Sequence, residues 1–258
     1  GRTTCGYFYD GDRRVLFSST HLEGDSCPPQ PDYSKGYVWR VDAGYDIFTA
    51  RPDGSDLRRL TKTPGYDAEA TLSTDGKWIV FTSMRDGDLD LYRMKTDGSQ
   101  VTRLTDRPGY DGGAFFSRDG AWICYRAGYP ESLAATLDYK ELLSHQLVRP
   151  THMNLWVMRS DGSGKRQITS KPGASFAPYF TPDGRSLIFS SNWEEPTSRN
   201  FDLYLVPTEG GDLQPVTRDM SFDGFPMFSP DGRWLVFASN RGAKARGETN
   251  LFLAEWRP

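Results

Sequence analysis

Apolar and polar residues alternate along this chain in short runs, and the runs recur. Ser229 to Ser239 reads SPDGRWLVFAS, and Ser73 to Ser83 reads STDGKWIVFTS. Ser117 to Ala127 is SRDGAWICYRA, Thr181 to Ser191 is TPDGRSLIFSS, and Tyr9 to Ser19 carries a fainter YDGDRRVLFSS. Within one unit, Ala68 to Thr105, AEATLST leads to Asp75-Gly76 and then to KWIVFTS. LDLYRMKT follows, with Leu89 and Leu91 alternating against Asp90 and Tyr92, and Asp97-Gly98 leads into VTRLT. An Asp-Gly pair between two such runs predicts a two-residue hairpin turn, because glycine accepts positive φ. Each unit therefore predicts four short antiparallel strands.

The spacing identifies the architecture. Asp75 to Asp119 is 44 residues and Asp183 to Asp231 is 48, whereas Gly11 to Asp75 and Asp119 to Asp183 are each 64. A module of 44 residues with two insertions is the length of a four-stranded propeller blade. A lone four-stranded sheet cannot bury both faces, whereas blades stacked around an axis can. The fold class expected is all-β: a β-propeller of four-stranded antiparallel blades, with five units evident and one short helical insertion. Trp78, Trp122 and Trp234 occupy equivalent second-strand positions and are expected to be equally buried.

SPDG with its trailing apolar run, DLY followed by DGS, and the closing Leu-Thr together resemble the TolB-type propellers of bacteria. The resemblance covers nearly the whole chain as a single domain, residues 1–258. It implies an extracytoplasmic, periplasmic location and a ring of six blades. Five units are present and the last stops after its third strand near Trp256, so an N-terminal blade is expected to be missing.

Both long insertions, 20–44 and 128–153, join second to third strands, on the side that also carries the inter-blade loops. Variable length concentrated on one side is how a scaffold presents a binding surface. Aromatic and Arg residues dominate such surfaces, which singles out Tyr33, Tyr37, Trp39, Tyr129, Trp193, Arg241 and Arg246. Ser132 is an N-cap for a helix whose stripe is Leu133, Leu137, Leu143 and Leu147, with His145 riding on it. That helix either packs on the propeller or faces a partner.

Four inter-blade loops, PGYDAEA, PGYDGGA, PGASFAP and MSFDGFP, bring Asp67, Glu69, Asp111 and Asp223 to the start of innermost strands. Four such carboxylates at one channel mouth suit a hard cation such as Ca²⁺. The alternative is that each accepts backbone N–H bonds in its own turn.

Composition narrows the chemistry. A net charge of -3 without a basic block lacks the footprint of a nucleic-acid binder. No apolar run in these residues reaches the length of a membrane helix, and the association expected with a membrane complex is a peripheral one. Nucleophile-elbow, HExxH and paired CxxC motifs are absent. GSGK at Gly162 to Lys165 has Arg159 where a phosphate loop needs its first glycine, and DGDLD at Asp86 to Asp90 lacks calcium-loop spacing. His21 and His152 form an imaginable metal pair, against two separate loop hydrogen-bonders. Cys124 reads as a buried strand residue, while Cys5 and Cys27 lie in loop-like sequence and can pair in an oxidising compartment such as the resemblance implies. The expected function is a non-enzymatic scaffold without cofactor that docks protein partners through its loop-rich face, as a peripheral subunit of an envelope complex. The alternative is a metal-dependent propeller hydrolase or lyase, or a propeller that gates a separate peptidase domain.

Overall fold

A computed structural model describes residues 1–257. The chain is an all-β propeller of five blades with one α-helix, α1 (Leu133–Ser144). Four sheets have four strands in sequence order. The first contains Thr3–Tyr9, Arg14–Ser19, Asp46–Ala50 and Arg58–Arg59, and the second Asp67–Leu72, Trp78–Ser83, Asp90–Lys95 and Thr102–Arg103. The third contains Tyr110–Phe116, Trp122–Gly128, Asn154–Arg159 and Arg166–Gln167, and the fourth Ser175–Phe180, Ser186–Ser191, Asp202–Pro207 and Gln214–Pro215. The fifth has three strands: Asp223–Phe228, Trp234–Ser239 and Asn250–Glu255. Where the repeat pattern reads as one continuous domain, the chain divides into two compact units: 1–114 with 127–150, and 115–126 with 151–258.

The repeated phrase is a hydrogen-bonding device. In the second blade Ser73 N–H donates to the Trp78 carbonyl at 2.9 Å, so the loop is wider than the expected two-residue turn. The Ser73 hydroxyl accepts from Trp78 N–H at 3.0 Å and donates to Asp75 Oδ1 at 2.6 Å. The same Asp75 oxygen accepts from Lys77 N–H at 3.1 Å, and Gly76 sits at φ +67°. Ser117/Asp119/Gly120, Thr181/Asp183/Gly184 and Ser229/Asp231/Gly232 repeat this arrangement. A side chain that satisfies a turn's own backbone explains why Ser or Thr and Asp recur two residues apart.

The closing Leu-Thr is equally specific. Thr105 Oγ1 accepts from the buried Leu91 N–H at 2.8 Å and lies 3.4 Å from Asp90 Oδ1, to which it donates. Buried backbone donors need such partners. Thr61, Thr169 and Thr217 do the same for Ile47, Leu155 and Leu203.

The second and fourth blades, for example, bury their second and third strands, whereas the third strand of the fifth, Asn250–Glu255, is largely exposed. In the first unit Leu16, Ile47, Ala70, Ile79, Phe81, Tyr92 and Met94 form one cluster. In the second unit Leu155, Phe180, Leu187, Phe189, Tyr204 and Val206 belong to another. The three equivalent tryptophans are not equally covered. Trp78 lies under Arg93 and Lys95, and Trp122 under Arg159, whereas Trp234 pairs with Glu255 on the last strand and is 37 % exposed.

The insertions build on each other. Trp39–Arg40 pairs with Leu147–Val148 as a two-stranded ribbon. Ser132 caps α1, accepting from Ala135 N–H at 3.1 Å. The expected leucine stripe fails at both ends: Leu133 and Leu137 are exposed, and Leu147 lies in the ribbon. The helix buries Leu142 and Leu143 instead, because Tyr139, not Leu137, sets its docked face. His145 is the C-cap residue. No helix among the described residues is long and apolar enough to cross a membrane.

Candidate interaction surfaces

The loop-rich ends of the blades are organised by the innermost strands. In four of these strands the pairing slips at the same place, between Thr4 and Tyr7, Ala68 and Thr71, Phe176 and Tyr179, and Gly224 and Met227. The bulged residue takes positive φ each time: Cys5, Glu69, Ala177 and Phe225, with Gly113 at the matching position of the third blade. A non-glycine residue there costs about 1–2 kcal/mol, and such residues cluster at functional sites.

Of the four predicted carboxylates, Asp67, Asp111 and Asp223 lie two residues before the bulge position, and Glu69 is itself a bulged residue. Asp67, Asp111 and Asp223 are fully buried. Neither expected arrangement is found. Asp67 pairs with Arg85 at 3.1 Å, Asp111 accepts from the Tyr129 hydroxyl at 2.7 Å, and Asp223 pairs with Arg241 at 2.5 Å. Glu69 accepts from the Tyr110 hydroxyl at 2.5 Å, Gly113 N–H at 2.7 Å and Thr82 Oγ1 at 3.2 Å. Asp67, Asp111 and Asp223 are thus held by side chains that reach over them, and Glu69 by hydroxyls and by the Gly113 N–H of the next blade, not by the backbone of their own turns. Among the described residues no group of three or more His, Cys, Asp or Glu side chains could hold a metal ion. Burial pushes the Asp111 carboxyl up to about 7 against the opposing Tyr129 bond, and also raises Asp67.

Arg85, Tyr129 and Arg241 stand at one repeated position, two residues past the end of the second strand's apolar run. His21 and Trp193 stand there too. His21 Nδ1 lies 3.0 Å from Ser19 Oγ, with its ring 4.4 Å from that of Phe48, and Trp193 packs edge-on against Tyr204. His21 is therefore an intra-blade plug, while His152 is exposed. Of the predicted contact residues, Tyr129, Trp193 and Arg241 turn inward to plug their own blades. Trp39 also turns inward, edge-on to Tyr110, beside Tyr139 and Leu143. Tyr33 and Tyr37 are exposed and stacked with ring centroids 6.5 Å apart, and Arg246 is exposed. The Cys5–Cys27 bridge is not formed. Cys5 lies inside the first strand, not in a loop, with Sγ 3.5 Å from Thr4 Oγ1, and Cys27 Sγ lies 3.5 Å from the Gly1 carbonyl.

The second unit holds a surface not expected from the sequence. Phe176, Phe201, Phe222 and Phe225 form a cluster with ring centroids 5.1 to 6.4 Å apart. Phe225 occupies the bulge at φ +55° and is 56 % exposed, and Met220 on the same inter-blade loop is 89 % exposed. The signal was present in MSFDGFP, where Phe225 stands at the bulge position that holds Glu69, Gly113 and Ala177 in the other loops. At the Asp-Gly-turn end of the same unit is a cavity of about 460 Å³, lined by Arg118, Trp122, Arg166, Phe180, Pro182 and Glu209 among others. Its Arg166 is paired with Glu209 at 3.2 Å.

Residues 30–146 and 148–247 match the family model described as the TolB beta propeller domain. The Tol-Pal system protein TolB of Bordetella pertussis is 50% identical over 34 residues, which is 13% of this chain and 8% of that protein. The crystal structure of TolB from Acinetobacter baumannii superposes with a TM-score of 0.63 at 17% identity, covering 85% of this chain and 49% of that one. A structure assigned as TolB from Agrobacterium tumefaciens gives 0.68 at 16% identity, covering 98% of this chain and 77% of that one.

Proposed function

The chain belongs to the TolB beta propeller domain family, and from that premise we propose that it is a non-enzymatic docking scaffold for protein partners. We place it outside the cytoplasm, as a peripheral subunit of an envelope assembly. The observation that carries this reading is the Phe225 cluster. A large ring held at positive φ, more than half exposed and backed by three further phenylalanines, costs backbone energy without filling the core. Exposed aromatics with firm support are the anchors of protein interfaces. The inward-facing plugs leave Tyr33 and Tyr37 as the exposed members of the predicted aromatic set. The match to a Tol-Pal system protein makes envelope proteins the partners to test first.

The test is affinity capture from envelope extracts with mass spectrometry, using the parent chain and the Phe225→Ser/Met220→Ser double variant. The scaffold reading expects a defined partner that the variant loses while its β circular dichroism is unchanged. Equal capture by both proteins rejects this surface. A hydrolytic activity that co-purifies with the chain and falls on Asp67→Ala or Asp111→Ala would reject the scaffold reading itself.

A further inference from the structure

The second and third blades share a third-strand phrase and differ in it at one decisive place. Leu91 to Ser99 reads LYRMKTDGS, and Leu155 to Ser163 reads LWVMRSDGS. The two stretches fold alike: Lys95 N–H donates to the Ser99 carbonyl and Arg159 N–H to the Ser163 carbonyl, both at 2.8 Å. Val157 thus stands where the second blade has Arg93, and Arg159 where it has Lys95. In the second blade the Arg93 guanidinium lies over the Trp78 ring, 4.2 Å from its centroid, and the Lys95 ammonium lies at 4.5 Å. In the third blade Arg159 lies over the Trp122 ring at 5.0 Å, and Val157 brings no second cation.

Trp122 and Val157 line the cavity of about 460 Å³ at the Asp-Gly-turn end of the second unit, with Phe180 and Pro182 as further apolar wall. That volume falls within the range of ligand sites, about 300–1,000 Å³. The charged lining is acidic on balance: Asp119, Asp183 and Glu209 against Arg118 and Arg166. Arg166 is neutralised by Glu209 at 3.2 Å. Arg118 reaches the turn of the fifth blade, where its Nη1 is 3.9 Å from the place a Cβ on Gly232 would take. Asp119 and Asp183 each give Oδ1 to their own turns. The bonds from Ser117 and Thr181 hold both carboxyls below their ordinary value, so both are charged at neutral pH. Neither Oδ2 accepts a hydrogen bond among the described residues.

We propose that this cavity takes an arginine side chain from a partner polypeptide. The guanidinium stacks over the Trp122 ring as Arg93 does over Trp78. Its methylenes lie along Val157, Phe180 and Pro182, and its N–H groups donate to the open oxygens of Asp119 and Asp183. Free arginine is the poorer ligand, because its own carboxylate would meet the three acidic side chains of the lining. The proposal shares with the scaffold reading only that the partner is a polypeptide. It uses none of the Phe225 cluster, so either can fail without the other.

Titration of the whole 258-residue chain, isotope-labelled at its tryptophans, with acetyl-Gly-Arg-Gly-amide tests this. The Trp122 indole N–H signal, identified by its absence from Trp122→Phe, should shift saturably. The lysine analogue should bind about fivefold more weakly, because an ammonium lacks the planar face that stacks on the indole. Asp119→Asn/Asp183→Asn keeps both Oδ1 acceptors for the turns and should weaken the arginine peptide about fivefold. Val157→Arg gives the third blade the residue of the second and should abolish the shift. Position 157 is buried, so the aspartate variant provides the independent reading. Phe225→Ser should bind the peptide as the parent does. The proposal is overturned by no saturable shift at Trp122, or by affinity unchanged for the lysine analogue or for the double aspartate variant. Equal affinity for free arginine, or tighter binding of acetyl-Gly-Glu-Gly-amide, overturns it as well.

Discussion

The Tyr129 hydroxyl donates to Asp111 Oδ1 at 2.7 Å, and Asp111 has no exposed surface. The pair joins the start of the long insertion to the innermost strand of the third blade. Burial is the larger influence on the carboxyl and raises it to about 7, while the tyrosine bond opposes the rise.

A carboxyl raised in the folded state binds its proton more tightly there than in the unfolded chain. Its contribution is fully present below the ordinary carboxylate range, near pH 4, and is lost as pH rises through about 7. Asp90, raised by burial to about 6 against its Arg103 partner, acts in the same direction. Urea unfolding from pH 4 to pH 8 should therefore show parent stability declining relative to Asp111→Asn, which keeps an acceptor for Tyr129 without the buried charge. Parallel profiles for the two proteins would refute the assignment.

Thr105→Val removes the acceptor of the buried Leu91 N–H while keeping the shape of the side chain. A loss of about 1–3 kcal/mol in unfolding free energy is expected, the cost of leaving a buried donor unbonded. Thr169→Val, which strands Leu155 N–H in the same way, should fall in the same range. An unchanged urea midpoint for either variant would mean that the Leu-Thr ending is not a structural device.

The long insertion is part of the core of the first unit. Leu143 and Val148 pack with Val41, Tyr45, Tyr66, Ala68, Leu89 and Tyr110, and the Tyr139 hydroxyl donates to Asp88 and to the Gly109 carbonyl. Leu143→Ala should cost about 2–4 kcal/mol. Deletion of Pro130 to Arg149 should lower the thermal midpoint, with no gain from added partner. A deletion variant as stable as the parent would return the helix to a purely partner-facing role.

Calcium should leave the thermal midpoint where it is. Asp67 and Asp223 are each neutralised by an arginine, Asp111 is held by Tyr129, and Glu69 is bonded to Tyr110 and Gly113. A midpoint that rises with millimolar Ca²⁺ and falls back with chelator would restore the channel-mouth site.

The three cysteines should titrate separately. Cys27 is exposed, Cys5 half-buried and Cys124 buried, and burial raises the Cys124 thiol far above its ordinary value. A thiol reagent should label Cys27 first and Cys124 only on unfolding, with three thiols in the denatured, unreduced protein. One thiol would show that Cys5 and Cys27 pair after all.

The sequence by itself determined the blades. SPDG, DGS and Leu-Thr are local devices whose bonds close within a few residues or one hairpin, so Asp75, Ser99 and Thr105 announce their positions without tertiary information. Helix α1 and its Ser132 cap were legible for the same reason. Which way side chains face at the loop-rich ends was decided only by the tertiary structure. Tyr129, Trp193 and Arg241 are aromatic or cationic residues in loops, the usual mark of a contact surface, yet each folds back over its own blade. For Tyr129 and Arg241 the reason is that the innermost strand buries a carboxylate that needs a cover, Asp111 or Asp223, 18 positions earlier, whereas Trp193 packs on Tyr204 of the third strand. Phe225 is the converse: a strand residue by pattern, it is exposed where the pairing slips between Gly224 and Met227 and its backbone turns to positive φ. A bulge depends on pairing between strands, and pairing is not written in either strand alone.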